Sequence, residues 1–444
     1  MFKRYVTFLL LIFVLIFTIL SCGTDYMLSS FYLRKDFQWL LSPSEQRNLN
    51  DYTYIVGGFN FNEYTSPVIV ATPANYLLLI YENRSDNGTL DVYGIDKTKI
   101  VNVNVAISKD ALSFPTIGKS IGKTAYSYKD SHGSPIVFVD NNGNVIVLSV
   151  GGIGFGSGDA KDISSISVSI SEDNGNKWSD WEDINTNVFK SLLDMGYNRF
   201  YTTTGNGLTL QNGTLVCMID YKKNGESKSA GAAILYSNNN GKDWQLGSTM
   251  EYTGAASGKR SAKIIAERKD GSLLIAAVHD TKDDYNANGS LYWAVASSLD
   301  GKISQFSVTG LPNNSGGTVA GDRIKYVDNG QAKSGILLLH SYPNREFINP
   351  NGVKYQVKNA MAMSISSDDG ASWTLITNRI GTRTELPRKS TFRQSMKVLK
   401  DGTIVTTSEE GDDYEINLSK PFNIVYRRIG LSLLSDGRYL YEGI

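Results

Sequence analysis

The stretch Ser171–Trp178, which reads SEDNGNKW, follows the pattern Ser-x-Asp-x-Gly-x-x-Trp, and the chain repeats this pattern. SSDDGASW at Ser366–Trp373 is a second full copy, and SNNNGKDW at Ser237–Trp244 carries Asn in place of Asp. Two eroded copies begin at Ser108 and Ser298, so that successive copies start 63, 66, 61 and 68 residues apart. Copies at such a nearly constant period indicate a repeated structural unit.

Each copy has the chemistry of a tight hairpin turn. The Ser and Asp oxygens accept hydrogen bonds from the backbone of the turn, and Gly adopts the positive φ that the turn needs. The Trp side chain can fold back and cover the turn with a large apolar face. Because each residue type has a role in the turn itself, we expect the copies to stabilise the rim of the fold and to carry no chemistry.

Short apolar runs bounded by Asn, Asp or Gly recur along the chain, as in Gly143–Ser149 and Gly213–Met218. Such runs are typical of strands joined by hairpins. Radial repetition of such units protects the strand edges and leaves a central funnel lined by loops. A unit of about 65 residues fits six times into residues 22–444. The sequence therefore predicts an all-β fold, a six-bladed β-propeller of four-stranded antiparallel blades, whose last blade is closed by N- and C-terminal strands.

The N-terminus has the composition of an export signal. Lys3 and Arg4 precede an apolar run over residues 6–20, which is shorter than the roughly 20 residues of a spanning helix. The run ends in Ile-Leu-Ser-Cys at residues 19–22, which looks like a bacterial lipobox. We therefore expect a signal peptide over residues 1–21, acylation of Cys22, a tether over 22–50 and the propeller over 51–444. The alternative is ordinary secretion, with Cys22 lost or unmodified.

From the export signal and the lipobox we expect a propeller that is anchored by lipid in the bacterial cell envelope and exposed at the surface. If the protein is secreted instead, we expect it in the medium. The 44 basic and 44 acidic residues cancel, which argues against nucleic acid as a partner and leaves the lipid anchor as the membrane contact.

Cys217, in an apolar run, is predicted to be a buried thiol, and an acylated Cys22 leaves it without a disulfide partner. The chain has three histidines and no CxxC, which argues against a structural zinc site. We expect the protein to be a monomer.

Several further segments match one known family in type and order. They are YTSPVIV at Tyr64–Val70 followed by Leu77–Glu82 and Arg84, SDNGTLD at Ser85–Asp91, TGNGLTLQNGTLV at Thr204–Val216, and the Asp-Gly hairpins at Asp270–Leu274 and Asp401–Ile404. Together with the repeated turns, known as Asp boxes, they resemble the bacterial sialidase (neuraminidase) family over residues 55–444. The resemblance implies a six-bladed propeller, sialylated or other anionic glycans as partners, and no cofactor.

The resemblance also implies roles for particular side chains. In this family three arginines bind the carboxylate of sialic acid, because a guanidinium can form two parallel hydrogen bonds with a carboxylate. A Tyr activated by a Glu is the nucleophile of a retaining mechanism, and an Asp protonates the leaving oxygen and later activates water. Asp86 falls on the position of that acid/base residue, and Arg84 matches an arginine that lines the sugar pocket.

The remaining family positions hold other residue types. Where the family has its three arginines, this chain has Thr65, residues 278–280 (VHD) and Lys358, in that order. Ser261 lies near the position of the activating Glu, and Phe392-Arg393 lies at the position of the nucleophilic Tyr. Lysine keeps the positive charge but lacks the paired N–H donors of a guanidinium. Neither Phe nor Arg is a nucleophile. We therefore expect Arg84, Lys358 and Arg393 to bind an anionic sugar in the funnel.

The sequence leaves three hypotheses for the function open. The first is an exo-α-sialidase, a glycoside hydrolase displayed on the cell surface that acts on the terminal sialic acid of glycoconjugates. The second is a catalytically degenerate sialidase-like propeller that binds a host glycan or protein without hydrolysis, which the missing Tyr and Glu favour. The third is a glycoside hydrolase of another specificity, with Asp86 and a second carboxylate such as Glu409 or Glu410.

Overall fold

The computed structural model describes residues 52–56, 62–85, 100–115, 118–127, 130–154, 161–253, 259–279, 288–314, 319–342, 345–348, 354–357, 360–380, 390–411 and 423–441. Most of these residues lie in β-strands. In these ranges two short α-helices, α1 (Lys190–Asp194) and α2 (Leu431–Leu434), and a 3₁₀ turn (Thr186–Phe189) lie between strands. No helix of this described part is long and apolar enough to cross a membrane.

Six sheets form the six blades of a propeller, and their strands follow one another along the chain. The first strand is β1 (Tyr52–Val56), which belongs to the last blade. Blade one contains β2 (Asn62–Ala71), β3 (Leu77–Ser85), β4 (Ile100–Ser108) and β5 (Lys119–Ser120). Blade two contains β6 (His132–Val139), β7 (Val145–Gly151), β8 (Ser165–Ser171) and β9 (Glu182–Asp183).

The middle of the chain forms blades three and four. Blade three contains β10 (Arg199–Thr202), β12 (Leu208–Thr209), β13 (Leu215–Lys222), β14 (Gly231–Ser237) and β15 (Gln245–Glu251). The short strand β11 (Gly205–Asn206), which lies between β10 and β12 in sequence, joins blade two instead. Blade four contains β16 (Lys259–Glu267), β17 (Leu273–His279), β18 (Asn288–Ala296) and β19 (Ser307–Asn314).

The last third of the chain forms blades five and six. Blade five contains β20 (Ala320–Asp328), β21 (Gln331–Tyr342), β24 (Ala360–Ser366) and β25 (Thr374–Ile380), with a separate hairpin of β22 (Arg345–Ile348) and β23 (Lys354–Val357) between β21 and β24. Blade six contains β26 (Ser390–Val398), β27 (Ile404–Gly411) and β28 (Asn423–Ile429), and β29 (Tyr439–Leu440) is the last described strand.

Blade six joins the two ends of the chain. Strand β1 pairs antiparallel with β28 and supplies the outermost strand of this blade. The all-β fold class and the six-bladed propeller predicted from the repeat are confirmed, and so is the closure of the last blade by N- and C-terminal strands. Three blades have a fifth strand beyond the predicted four, because β11 pairs parallel with β6, β12 pairs with β13 and β29 pairs with β20.

The inner strands, which are β2, β6, β10, β16, β20 and β26, surround the propeller axis. We define the upper face as the end where these strands begin, at Asn62 of β2 and Ser390 of β26. The lower face is the end where they finish, at Ala71 and Val398. Antiparallel pairing returns the third strand of each blade to the lower face, so the Asp boxes that follow these strands lie at that end.

The Asp boxes form the turns that the sequence predicts. In the first full copy Gly175 N donates to Ser171 Oγ (2.8 Å) and Lys177 N donates to Asp173 Oδ1 (2.7 Å). The indole N–H of Trp178 donates to the Gly175 carbonyl (2.9 Å), and Gly175 has a φ of 86°. The positive φ accounts for the glycine in the pattern, and the hydrogen bonds account for the Ser, Asp and Trp positions.

Apolar side chains fill the spaces between neighbouring blades. Between blades two and three, for example, the ring of Phe138 lies 5.6 Å from that of Trp244, and both are buried. Cys217 lies in the same cluster with 4% of its surface exposed, which confirms the predicted buried thiol. Burial raises the pKa of the Cys217 thiol well above its ordinary value, so the side chain behaves as a small apolar group.

Candidate active site

The inner strands of four blades contain a β-bulge near the upper face. Their pairing shifts register at Thr65/Val68, Gly133/Ile136, Arg260/Lys263 and Phe392/Ser395. At each shift one residue has a positive φ, which is 56° at Ser66, 49° at Ser134, 52° at Ser261 and 44° at Arg393. A positive φ is uncommon for such residues, and a bulge turns an N–H group out of the ladder. The bulges therefore direct polar groups toward the upper end of the axis.

Buried carboxylates from neighbouring blades accept the N–H groups of three of these bulges. Ser66 N donates to Glu409 Oε1 (2.5 Å), Ser134 N donates to Glu82 Oε1 (2.6 Å) and Ser261 N donates to Asp220 Oδ2 (3.1 Å). The acids lie on β27, β3 and β13, and each belongs to the blade next to, and before, the blade that contains its bulge. Hydrogen bonds with a charged partner are the strong ones, so these contacts fix neighbouring blades to each other around the axis.

Glu82 also binds Arg84 on the same strand. The guanidinium of Arg84 donates from Nε to Glu82 Oε2 at 2.8 Å, and its second nitrogen lies 2.6 Å from the same oxygen. The side chains of Arg84 and Glu82 are 9% and 0% exposed. Burial alone would raise the pKa of Glu82, but Arg84, Arg393 and the Ser134 N–H outweigh it and hold that pKa below its ordinary value.

Arg393 places a second guanidinium at the upper end of the axis. Its Nη1 donates to Thr65 Oγ1 on β2 and to Glu409 Oε1 on β27, the latter at 3.1 Å. Thr65 Oγ1 donates in turn to Glu409. The Arg393 side chain is 37% exposed, whereas that of Glu409 is 6% exposed. The attraction of Glu409 raises the pKa of Arg393, so this partly exposed group is permanently charged.

Tyr201 on β10 completes the described cluster. Ser134 Oγ donates to the Tyr201 hydroxyl (2.7 Å), while the N–H of the same serine binds Glu82. Ser134 thus connects the Tyr201 hydroxyl with the Glu82 carboxylate. The candidate site therefore unites the inner strands of blades one, two, three and six around two guanidiniums, two carboxylates and a tyrosine.

Among the described residues of the cluster, Arg393 is the cation that is open to a ligand. Arg84 is almost fully covered and faces Glu82. Among the described residues Arg393 Nη1 contacts Thr65 and Glu409, and 37% of the Arg393 side chain is exposed. A guanidinium held in this way is suited to a carboxylate or another flat anion. In the part of the chain that the structure describes, no group of three or more His, Cys, Asp or Glu side chains could hold a metal ion.

Comparison with known proteins identifies the fold. A family model described as a BNR repeat-like domain matches residues 96–286. A sialidase from Paraclostridium sordellii is 28% identical over 148 residues, which are 32% of this chain and 35% of that protein. The match thus spans about a third of that relative's length.

Solved sialidase structures have the same architecture. A Hadza microbial sialidase superposes with a TM-score of 0.58 at 16% identity, over 86% of this chain and 69% of its own. The chain is a sialidase-like propeller. Trypanosoma rangeli sialidase in complex with sialic acid gives a TM-score of 0.58 at 12% identity, over 87% of this chain and 60% of its own. An intramolecular trans-sialidase from Ruminococcus gnavus gives 0.55 at 14% identity, over 84% and 95%.

The sialidase-like propeller brings together some of the residues singled out from the sequence. Arg84 and Arg393 both lie at the upper end of the axis, on either side of the Thr65 position. Asp86, Lys358 and Cys22 lie outside the described residues, so their roles stay predictions. Glu409 lies beside Arg393, but it is 5% exposed and accepts hydrogen bonds from Ser66, Thr65 and Arg393, which places it in the framework of the site.

Sequence reasoning missed Glu82, Ser134 and Tyr201. Glu82 was the detectable one, because an acidic residue inside the apolar run LLLIYE (77–82) needs a buried partner. The serine and the tyrosine have no such signal, since both residue types are common in strands and their contact spans 67 residues of sequence. Only the radial arrangement of blades two and three brings them together.

Proposed function

We propose that this sialidase-like propeller is a surface protein that acts on the terminal sialic acid of glycoconjugates at its upper face. The observation that carries the proposal is the partly exposed side chain of Arg393, whose guanidinium is held by buried Glu409 at the end of the propeller axis. Sialic acid bears a carboxylate on its anomeric carbon, and a fixed guanidinium pairs with a carboxylate at low cost in side-chain entropy.

The acid/base chemistry of the proposal rests on Asp86. This residue follows Ser85, the last residue of β3, and Ser85 pairs with Asn62 and Ile100 at the upper end of blade one. Strand β3 thus ends at the same end of the propeller as Arg393, which supports the proposal. In the proposed reaction Asp86 protonates the leaving oxygen and then activates water, as the resemblance implies.

Binding without hydrolysis is the second candidate function, and a specific observation favours it. The bulge at Phe392-Arg393, where the resemblance places a nucleophilic Tyr, presents a guanidinium that binds Thr65 and Glu409. A guanidinium is no nucleophile, so the retaining route would need another group. A glycosidase of different specificity has less support, because Glu409, one of its two suggested second carboxylates, is engaged by three donors. The other, Glu410, has a side chain outside the described part.

Two measurements on the same protein separate these functions. The first is hydrolysis of a fluorogenic sialoside, with Asp86→Ala as the control. The second is calorimetric binding of sialyllactose, with lactose as the matched ligand that lacks the carboxylate. Turnover that disappears in Asp86→Ala supports the sialidase. Binding of sialyllactose but not lactose, without turnover, supports the binding protein, and the absence of both removes sialic acid as the ligand.

The proposed location is the bacterial cell envelope, with Cys22 acylated after removal of residues 1–21. The support is the basic start, the apolar run and the lipobox-like Ile-Leu-Ser-Cys of the sequence. Metabolic labelling with a fatty acid tests the proposal, because the label should enter the protein and be absent from Cys22→Ala. An unlabelled protein recovered from the medium would support secretion instead.

A further inference from the structure

Lys263 places an amine in the interior of the propeller, on the inner strand β16 of blade four. It is the first paired residue after the bulge of that strand, as Ser395 is after the bulge of β26. Only 7% of its surface is exposed. A lysine is rarely buried to this extent unless its charge is paired, so the surroundings of Lys263 decide what its ammonium group binds.

The segment Thr204–Asn206, which opens the Gly-rich stretch TGNG, lies against this amine. Thr204 has a φ of 32° and Gly205 has a φ of 146°, and the Lys263 ammonium donates to the Thr204 carbonyl. A Cβ at Gly205 would lie 2.8 Å from Lys263 Nζ. Position 205 therefore needs glycine both for its backbone conformation and for the close approach of the amine.

The Thr204 carbonyl does not balance the charge of Lys263. An ammonium group has three N–H donors, and a carbonyl is a neutral acceptor. Burial lowers the pKa of Lys263 to about 7, and no carboxylate among the described residues acts to raise it. The acid beside the bulge of β16, Asp220, accepts instead from the Ser261 N–H and from the hydroxyls of Ser229 and Tyr252.

A small cavity of about 10 Å³ adjoins the Lys263 side chain. Residues of β6, β11, β13 and β16 line it, so blades two, three and four meet there. A volume of this size takes one occupant as small as a water molecule or a monatomic ion, and it excludes a sugar. The other titratable group among the described lining residues is Cys217, and burial raises the pKa of its thiol, so it adds no charge at neutral pH.

We propose that this cavity binds a halide ion, which is the counterion of the Lys263 ammonium group. A buried charge is costly unless it is paired, and the described lining residues supply no carboxylate. A water molecule has a similar size but leaves the charge uncompensated. The apolar side chains of Ile136, Val216 and Met218 line the rest of the cavity, and in such surroundings the attraction between two charges is stronger than in water.

The halide site lies where several blades are joined. Asn206, which follows Gly205 in β11, donates from Nδ2 to the Ile69 carbonyl (2.8 Å) and accepts from Ser395 Oγ (2.7 Å). The segment that contacts Lys263 is thus also fixed to blades one and six, and an ion held there should stabilise the whole fold. The inference is independent of the proposed function, because it uses none of the residues that surround Arg393.

A crystal structure in sodium bromide tests the occupant directly, because bromide scatters anomalously and water does not. We expect an anomalous peak in the cavity beside Lys263 Nζ in the unaltered protein, and no peak at this position in Lys263→Met. Density in the cavity without an anomalous signal would assign it to water and overturn the proposal. An empty cavity would overturn it as well.

Urea unfolding measures the same binding in solution. In sodium gluconate, which supplies no halide, burial alone acts on Lys263. When bromide replaces gluconate at constant ionic strength, the urea midpoint should rise, because a ligand that binds only the folded protein stabilises it. The rise should be larger at about pH 6 than at about pH 9, since the neutral amine does not attract an anion.

Two lysine variants separate this site from a general effect of the salt. Lys263→Met should lose the rise in the urea midpoint that bromide produces. The matched control is Lys242→Met, which removes an exposed lysine in the Asp box of blade three and should keep the rise. An equal rise in Lys263→Met would place the bromide elsewhere and overturn the proposal. The crystal experiment on the unaltered protein decides the question even if Lys263→Met does not fold.

Discussion

The guanidinium of Arg393 and the carboxylate of Glu409 lie 3.1 Å apart at the bulge that interrupts the β26–β27 ladder. The bulge moves Arg393 out of the ladder, and Glu409 and Thr65 then hold its guanidinium over the neighbouring blade. An arginine from blade six thus reaches the position at which the sialidase resemblance expects an arginine from blade one.

Glu409→Gln should weaken binding of sialyllactose about tenfold, because the neutral amide no longer fixes the Arg393 guanidinium. The stability of the fold should fall by about 1–3 kcal/mol, since the Ser66 N–H and Thr65 hydroxyl lose a charged acceptor. Calorimetry and urea unfolding measure the two effects. Glu182→Gln, on the exposed edge strand β9, is the control that should change neither. Unchanged affinity in Glu409→Gln would remove Arg393 as the carboxylate ligand.

Tyr201→Phe should change binding or turnover with little effect on stability. The substitution removes the hydroxyl that accepts from Ser134 Oγ, next to the Ser134 N–H that binds Glu82, and keeps the ring. We expect the free energy of unfolding to fall by about 1 kcal/mol or less. If sialyllactose affinity and sialoside turnover both match those of the unaltered protein, Tyr201 does not face the ligand.

Glu82 should make stability depend on pH on the acid side. Its pKa is held below the ordinary 4.5 in the folded protein, so near that pH the unfolded chain binds more protons. The contribution of Glu82 is therefore fully present above its unfolded pKa and is lost as the pH falls through its folded pKa. Urea unfolding at several pH values from about 6 to about 3 should show a shallower loss in Glu82→Gln than in the unaltered protein. Parallel curves would contradict this assignment.

Lys263 should also make stability rise with pH, but in the range from neutral to alkaline pH. This residue of β16 is buried, its ammonium donates to the Thr204 carbonyl, and burial lowers its pKa from 10.5 to about 7. Between these values the unfolded chain binds the extra proton, so stability should rise with pH by about 1.4 kcal/mol per unit at most. Lys263→Met should be more stable near neutral pH and should flatten this rise. A rise of the same size in Lys263→Met would place the responsible group elsewhere.

Asp173→Ala should lower stability by about 1 kcal/mol and leave ligand binding unchanged, because its carboxylate holds only its own turn. The neighbouring Glu172→Ala is the matched control for urea unfolding, because Glu172 is exposed in the same turn and its side chain makes no hydrogen bond or ion pair with a described residue. A loss of sialyllactose binding in Asp173→Ala would contradict the assignment of the Asp boxes to the rim.

The fold could be predicted from the sequence because its determinants are local. The Asp box at Ser171–Trp178 forms its turn through hydrogen bonds among its own eight residues, and the period of the boxes gives the number of blades. The fifth strands could not be predicted, since β11 and β29 are two residues long and carry no alternation. Their pairing depends on where the blades meet.

The candidate site was only partly predictable for the same reason. Arg84 and Arg393 were found through the motifs that surround them. The contact between Arg393 and Thr65 joins residues 328 positions apart and depends on two bulges, whose residues, Ser66 and Arg393, are not types that mark a positive φ. Bulge positions follow from tertiary packing, and a pattern of residue types does not contain them.

The pairing of β1 with β28 has a consequence for biogenesis. Residues 52–56 are among the first of the propeller to be synthesised, and their partners at 424–428 are among the last. The ring cannot close until almost the whole chain has emerged, so blade six should form late and with a slow rate typical of long-range pairing. Until then β1 would lack its partner strand, and a nascent propeller released early would be prone to associate with another chain there.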